Sequence, residues 1–260
     1  MLDHAAIGAL AARLEECART ARETMKITDL HPEMDWDDAY AVQDALRERE
    51  IGHGARLVGY KAGLTSYAKM KQMGVSAPVF GYLLDARAFP DGGMPDVSTL
   101  IHPKVEPEIA FVLRHDLKGP GCHIGAVFAA TAFVLPAIEI IDSRYLGFKF
   151  DVQSVIADNT SAAGFAIGGR PLELKGVDLR STGVILEKNG EPIAFGAGAA
   201  VLGNPATAVA MLADHMAARG ALIPAGSVIL SGAITEAIAV ARGDSVRVRV
   251  QGMGSVSLRF

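Results

Sequence analysis

The sequence predicts an α+β fold, an N-terminal helical region packed on a mostly β core within one compact unit. Three observations predict it. Apolar residues before Gly52 recur at helical spacing, the stretch from Leu57 onward is cut into short apolar runs by glycine and proline, and one further helix signal stands alone near residue 205.

Taken in order, Ile7, Leu10 and Leu14, with arginine and glutamate between them, read as an amphipathic helix over 5–25. A second helix is expected after Asp35. There WDDAYAVQDALRERE puts acidic residues at the start and Ala39, Val42 and Leu46 on one face, and Gly52 and Gly54 end it. The runs RLVGYKAGL, APVFGYLL and HPKVEPEIAFVL are strand and turn signals. Asn189-Gly190, between two strand-like runs, is the dipeptide of a tight β-hairpin, because both residues tolerate the positive φ that such a turn needs. Asn204 then offers an N-cap, Pro205 suits the first helical position and Gly220 ends the helix. Strands at 228–231, 246–250 and 256–260 are expected to complete the sheet. With no internal repeat and no low-complexity linker, residues 1–80 read as the helical region packed on the core, and 81–260 as the core itself.

Half of the 260 residues are apolar and 21% are charged, the composition of an ordinary globular chain able to bury a sizeable core. The net charge of −4 argues against a nucleic-acid-binding surface and favours a small-molecule partner. Cys17 and Cys122 are the only cysteines, too few for a disulfide framework and without the spacing of a zinc site. The start MLDHAAIGAL lacks the basic cluster and apolar run of a signal peptide, and no segment is long and apolar enough to span a bilayer, so a cytoplasmic location is expected.

The chemistry centres on KVEPEIAFVL. Strand alternation puts Glu106 and Glu108 on one face, where two like charges need a cation, a shared proton or solvent; Pro107 between them implies an edge or a bulge. A solvated outer face would satisfy the pair equally. Glu139 shifts the balance, because it lies inside the apolar run FVLPAIEIID, where an unpaired carboxylate costs several kcal/mol or takes up a proton. Three converging carboxylates would make an oxygen-rich site suited to Mg²⁺ or Mn²⁺. Three glutamates and a divalent ion leave one negative charge, so an anionic substrate needs cations nearby.

Lys61 and Arg144 are the candidates. Lys61, beside a glycine turn, is either a proton relay and carboxylate contact or a surface lysine. Arg144, in DSRY, either clamps a substrate carboxylate or pairs with Asp142 to hold its loop. The polar stretch ADNTSAAG, with Ser161, reads as a ligand-orienting loop or as a plain turn. Two other patterns lead nowhere: the glycines of GAGAAVLGNP lack dinucleotide-fingerprint spacing, and no serine sits in a GxSxG turn.

The motifs VGYKAGLTSYAKMKQMGV, PVFGYLLD, LIHPKVEPEIAFVL, GPGC and PAIEIIDSRYLGFKFDVQSVIADN together resemble the hydratase/decarboxylase branch of the fumarylacetoacetase superfamily, over nearly the whole chain. The resemblance implies a mixed β-roll or barrel-like core with peripheral helices. It implies Glu106, Glu108 and Glu139 as ligands of Mg²⁺ or Mn²⁺, Lys61 as the active-site lysine, and Arg144 and Ser161 as substrate-binding residues. Within the branch the chain is similar to the decarboxylases of aromatic meta-cleavage catabolism, through AKMKQMGV, GPGCHIG and DSRYLGFKFD. The implied reaction converts 2-oxohex-3-enedioate to 2-hydroxypenta-2,4-dienoate and carbon dioxide. The alternatives are a hydratase acting on 2-hydroxypenta-2,4-dienoate or a longer analogue, and a non-catalytic 2-oxo-acid-binding protein. At TSAAGFAIGG, Gly164 stands where such decarboxylases tend to carry an arginine, which looks hydratase-like at the distal end of the substrate. Assembly as a homo-oligomer and association with the pathway hydratase are further implications of the resemblance.

Overall fold

The computed structural model describes residues 1–260. Helix α1 (His4–Thr20) is capped by Asp3, whose carboxylate accepts from the Ala6 N–H, and ends at Ala21 in the left-handed region. It stops short of the expected residue 25 because the next segment is held elsewhere. The Thr24 N–H donates to the Arg144 carbonyl, and the Leu146 N–H to the Thr24 carbonyl. Helix α2 (Trp36–Gly52) opens with a reciprocal capping box between Asp35 and Asp38. Leu10 and Leu14 of α1 and Ala39, Val42 and Leu46 of α2 are buried in one cluster with Tyr145 and Ile156.

The remaining elements are β1 (Leu57–Gly63), α3 (Tyr67–Met73), β2 (Val79–Leu84), β3 (Ala88–Phe89), β4 (Lys104–Leu113), α4 (Ile124–Ala130), β5 (Thr131–Ile141), α5 (Val152–Ala157), β6 (Ala162–Ile167), β7 (Gly183–Lys188), β8 (Glu191–Ala197), α6 (Pro205–Ala218), β9 (Val228–Leu230), β10 (Ile238–Ala239), β11 (Ser245–Val250) and β12 (Gly254–Arg259). The larger sheet is mixed and eight-stranded, in the order β2-β1-β9-β4-β5-β6-β3, with β10 pairing the start of β4. Strand β9 runs parallel to β1 and antiparallel to β4. Strand β1, all of it before residue 81, therefore lies inside this sheet.

The strands expected at 246–250 and 256–260 do not complete that sheet. They form a second, four-stranded antiparallel sheet in the order β12-β11-β7-β8. Strand β11 alternates strictly, with Val246, Val248 and Val250 buried and Arg247 and Arg249 exposed, so only one of its faces joins the core. Asn189 and Gly190 form the β7–β8 turn with φ of 55° and 87°. Asn204 caps α6 through the Ala206 N–H, with Pro205 in the first turn. Helices α3, α4 and α5 escape the sequence reading because six or seven residues are too few to show a period. Each nevertheless carries a local cap, at Ser66, His123 and Asp151. No helix is long and apolar enough to cross a membrane.

Candidate metal centre

Glu106 and Glu108 lie in β4, which has neighbours on both sides and no bulge at Pro107; its one register shift lies between Val112 and Leu113. The expected edge or bulge is therefore absent. Proline is tolerated here because its nitrogen faces the gap between β9 and β10, where a loop replaces the ladder and the Ile234 N–H donates to the Pro107 carbonyl. On the other side β5 pairs in register, placing Glu139 directly opposite Glu106. Directly opposed residues share a face, so alternation and register bring the three carboxylates together.

One oxygen from each of Glu106, Glu108 and Glu139 lies within 4.8 Å of the others. Glu106 is 8% exposed, Glu108 and Glu139 0%. Lys61, also buried, reaches in from the middle of β1, with Nζ 2.6 Å from Glu139 Oε1 and a 3.0 Å hydrogen bond to the Thr160 carbonyl. Its position inside the strand, rather than beside the turn, excludes the surface-lysine reading. Burial pushes the Glu108 carboxyl well above the usual range, with the charges of Glu139 and Glu106 adding to the rise. Burial also raises Glu139, to about 6, against the pull of the Lys61 ammonium.

Glu108 Oε1 and Glu139 Oε2 receive no hydrogen bond, and Glu139 Oε1 meets only the Lys61 ammonium. Orphaned buried carboxylate oxygens are costly, and a divalent cation with oxygen preference answers all of them at once. With Lys61 counted, the ionised cluster carries two net negative charges, the complement of such an ion. The donor set thus fits Mg²⁺ or Mn²⁺ on its own chemistry.

Glu108 is aimed by a residue that the sequence reading missed. The Gly232 N–H donates to Glu108 Oε2 at 2.6 Å, from a backbone with φ of 108°. A Cβ at Gly232 would stand 2.1 Å from Thr65 Oγ1, so the glycine lets the segment after β9 close on the one after β1. The only sequence signal for it was a lone Ser-Gly pair after an apolar run.

Ser161 sits in a loop with an unusual backbone. Asn159, Thr160 and Ser161 all have positive φ, at 47°, 51° and 60°, a strained run for non-glycine residues. The Asn159 side chain pins the loop to β2, accepting from the Tyr82 N–H and donating to the Tyr82 carbonyl. Thr160 Oγ1 and Ser161 Oγ are buried without a partner, and both residues line the cleft beside Lys61.

Arg144 is not brought to that cleft. Its Nε donates to Asp158 Oδ1, its Nη2 to the Asp158 carbonyl and its Nη1 to the Ala162 carbonyl. Burial pushes the Asp158 carboxyl up to about 6 against the pull of this guanidinium. Asp142, the partner expected from DSRY, instead accepts from the Ile101 and His102 N–H groups. Arg144 faces a different and larger cleft of about 780 Å³, which shares no lining residue with the one beside the triad.

The cleft beside the triad has a volume of about 370 Å³ and is lined by Lys61, Glu106 and Ser161, and also by Lys69, Lys104 and Phe148. Lys69 Nζ lies 3.4 Å from Glu106 Oε1, and Lys104 Nζ 4.0 Å from the centroid of the Phe148 ring. Neither lysine was singled out from the sequence. Gly164 lies elsewhere, with Phe89 Cε2 only 2.7 Å from where its Cβ would stand. The missing arginine at that position therefore does not bear on this cleft.

No family model matches the sequence. The chain is 54% identical over 252 residues to 4-oxalocrotonate decarboxylase of Pseudomonas putida, covering 97% of this chain and 96% of that protein. It is 41% identical over 251 residues to 2-hydroxyhexa-2,4-dienoate hydratase of Comamonas testosteroni, covering 95% of each. Among solved structures it is similar to 4-oxalocrotonate decarboxylase from Pseudomonas putida G7 complexed with magnesium and adipate, with a TM-score of 0.98 at 52% identity, covering 100% of this chain and 99% of that one. A fumarylacetoacetate hydrolase family protein from Yersinia pestis CO92 matches at 16% identity with a TM-score of 0.57, over 77% of this chain and 91% of that one, a likeness of fold alone.

Proposed function

The chain belongs to the hydratase/decarboxylase branch of the fumarylacetoacetase superfamily, and from that premise we propose that it is a Mg²⁺-dependent decarboxylase of 2-oxohex-3-enedioate, releasing carbon dioxide and 2-hydroxypenta-2,4-dienoate. The single observation that carries the reading is the set of orphaned, buried carboxylate oxygens on Glu108 and Glu139 beside Glu106. These three residues would hold the ion, Mg²⁺ or Mn²⁺. When bound, it supplies Lewis acidity where negative charge develops on the C2 oxygen of the substrate.

The chain's own groups do the rest. Lys61, fixed by Glu139 and the Thr160 carbonyl, presents an ammonium at the floor of the cleft, where it can donate a proton to an enolate oxygen. The Ser161 and Thr160 hydroxyls, without partners in the fold, are free to orient the substrate carboxylate nearest the triad. Arg144 positions these hydroxyls by locking Asp158 at the start of their loop. No covalent nucleophile is needed, because electrons released as the distal C–C bond breaks pass along the conjugated chain to the C2 oxygen.

We read residues 1–80 as a helical region acting within the same catalytic unit as 81–260. A cytoplasmic location, a homo-oligomer and an association with the pathway hydratase follow from the same family reading. The assay is the loss of 2-oxohex-3-enedioate absorbance with carbon dioxide capture, with and without Mg²⁺. Metal-dependent release of carbon dioxide supports the decarboxylase. Water addition to 2-hydroxypenta-2,4-dienoate without carbon dioxide would make it a hydratase, the activity named for its Comamonas testosteroni relative.

A further inference from the structure

The cleft beside the triad carries more positive charge than the triad uses. Lys61 is occupied by Glu139 and the Thr160 carbonyl. Lys69, on α3, approaches Glu106 from the open side, and its side chain is 38% exposed. Lys104 opens β4 two residues before Glu106, so strand alternation sets it on the same face as Glu106 and Glu108. No carboxylate pairs with it, and its ammonium rests over the Phe148 ring.

That ring is deliberately held. Gly147 and Phe148 both have φ of 60°, a left-handed conformation that is unfavourable for a bulky residue and persists only where the surroundings enforce it. His102 and Phe150 flank the ring, with centroids at 6.0 and 5.8 Å. The result is an ammonium on an aromatic platform, facing a cleft, with no anion of its own.

We propose that Lys104, assisted by Lys69, determines specificity by binding the distal carboxylate of a dicarboxylic 2-oxo acid whose proximal end lies at Glu106, Glu108 and Glu139. The proposal rests on the metal-centre reading above. Charge supports it, since a divalent ion and Lys61 balance the three glutamates, and a dianionic substrate then requires two further cations. Placement supports it too: Lys104 and Lys69 line the same cleft as Lys61 and Glu106. A monocarboxylic substrate would leave Lys104 without a counter-charge.

The mode of binding has a kinetic signature. The distal carboxylate departs as neutral carbon dioxide, so an ammonium holding it stabilises the ground state more than the transition state. Losing that contact should raise KM without lowering kcat.

The test uses calorimetric titration of the Mg²⁺-loaded protein with 2-oxoadipate and 2-oxohexanoate, which share the 2-oxo acid head and differ in the distal carboxylate. Lys104→Met should weaken 2-oxoadipate about tenfold or more while 2-oxohexanoate changes by less than about twofold, and Lys104→Arg should restore most of the loss. Lys69→Met should show the same selectivity to a smaller degree. KM for 2-oxohex-3-enedioate should rise with the 2-oxoadipate dissociation constant. Equal weakening of both ligands, or no change in either, overturns the proposal. Failure of the wild-type protein to bind either ligand in a Mg²⁺-dependent way would instead overturn the metal-centre reading, and this assignment with it.

Discussion

Lys61 and Glu139 form an ion pair in the interior of the protein, Nζ to Oε1 2.6 Å, with the lysine side chain 2% exposed and the glutamate not at all. A buried pair of this kind is a weak source of stability, because desolvation offsets most of its Coulombic attraction. Its value lies in position. It ties β1 to the C-terminal part of β5 at the carboxylate cluster, and the second bond of Lys61, to Thr160, ties both to the strained loop that lines the cleft.

Lys61→Met should therefore lower kcat/KM by about two to four orders of magnitude, the range of a lost proton donor. Mn²⁺ binding, followed by electron paramagnetic resonance, should survive, since the three carboxylates remain. Parallel loss of metal and activity would reduce Lys61 to a structural counter-ion.

Ser161→Ala should leave the melting temperature unchanged within about 2 °C, because the hydroxyl it removes has no partner to lose. KM should rise about three- to tenfold if that hydroxyl orients substrate, a loss on the scale of one neutral hydrogen bond. A variant with wild-type KM and kcat would take Ser161 out of the site.

Arg144→Met should act on stability. Removing the guanidinium leaves the Asp158 carboxylate buried and uncompensated, a change of about 3–5 kcal/mol for a broken interior pair, read as a lower urea midpoint. Normal stability with a raised KM would return Arg144 to the substrate-contact role expected from DSRY.

His215, on α6, stacks against Tyr40 and Phe80 at centroid distances of 4.5 and 5.0 Å, and burial lowers its pKa from 6.5 to about 4. A depressed folded pKa means that the unfolded chain binds the proton first. The contribution of this group to stability is thus complete above pH 6.5 and is lost progressively as pH falls towards 4. His215→Phe should remove that slope, so the urea midpoint of the variant should fall less than the wild-type midpoint between pH 7.5 and pH 5. Identical slopes would show that the ring titrates alike in both states.

What the sequence reveals of this molecule is mostly what neighbours in the chain decide. The Asp35–Asp38 capping box, the Asn189-Gly190 turn and the Asn204-Pro205 start of α6 each depend on a few adjacent residues, and each was legible. So was the shared face of Glu106 and Glu108, a consequence of strand alternation alone. The opposition of Glu139 to Glu106 depends on the β4–β5 register, which local pattern does not encode. Family resemblance supplied it as an expectation.

Other features depend on contacts between distant segments. Gly232 matters because Thr65 and Glu108 meet it from two other elements, and Arg144 finds Asp158 rather than Asp142 because the chain turns through three left-handed residues. The split into two sheets was hidden for the same reason: β11 and β12 read as good strands, but only long-range pairing with β7 decides which sheet they join. Lys104 and Phe148 both lie in segments that carry the family resemblance, yet their contact joins β4 to the loop after β5, and nothing local marks it.

Glu106, Glu108 and Glu139 are expected to hold one divalent ion per chain. Titration of chelator-stripped protein with Mn²⁺, monitored by electron paramagnetic resonance, tests it most directly when wild type is set beside Glu108→Gln. The wild type should show one site per chain, and the variant an affinity reduced by about a hundredfold or more, because one of three carboxylate ligands loses its charge. Stoichiometric binding of unchanged affinity in Glu108→Gln would contradict it.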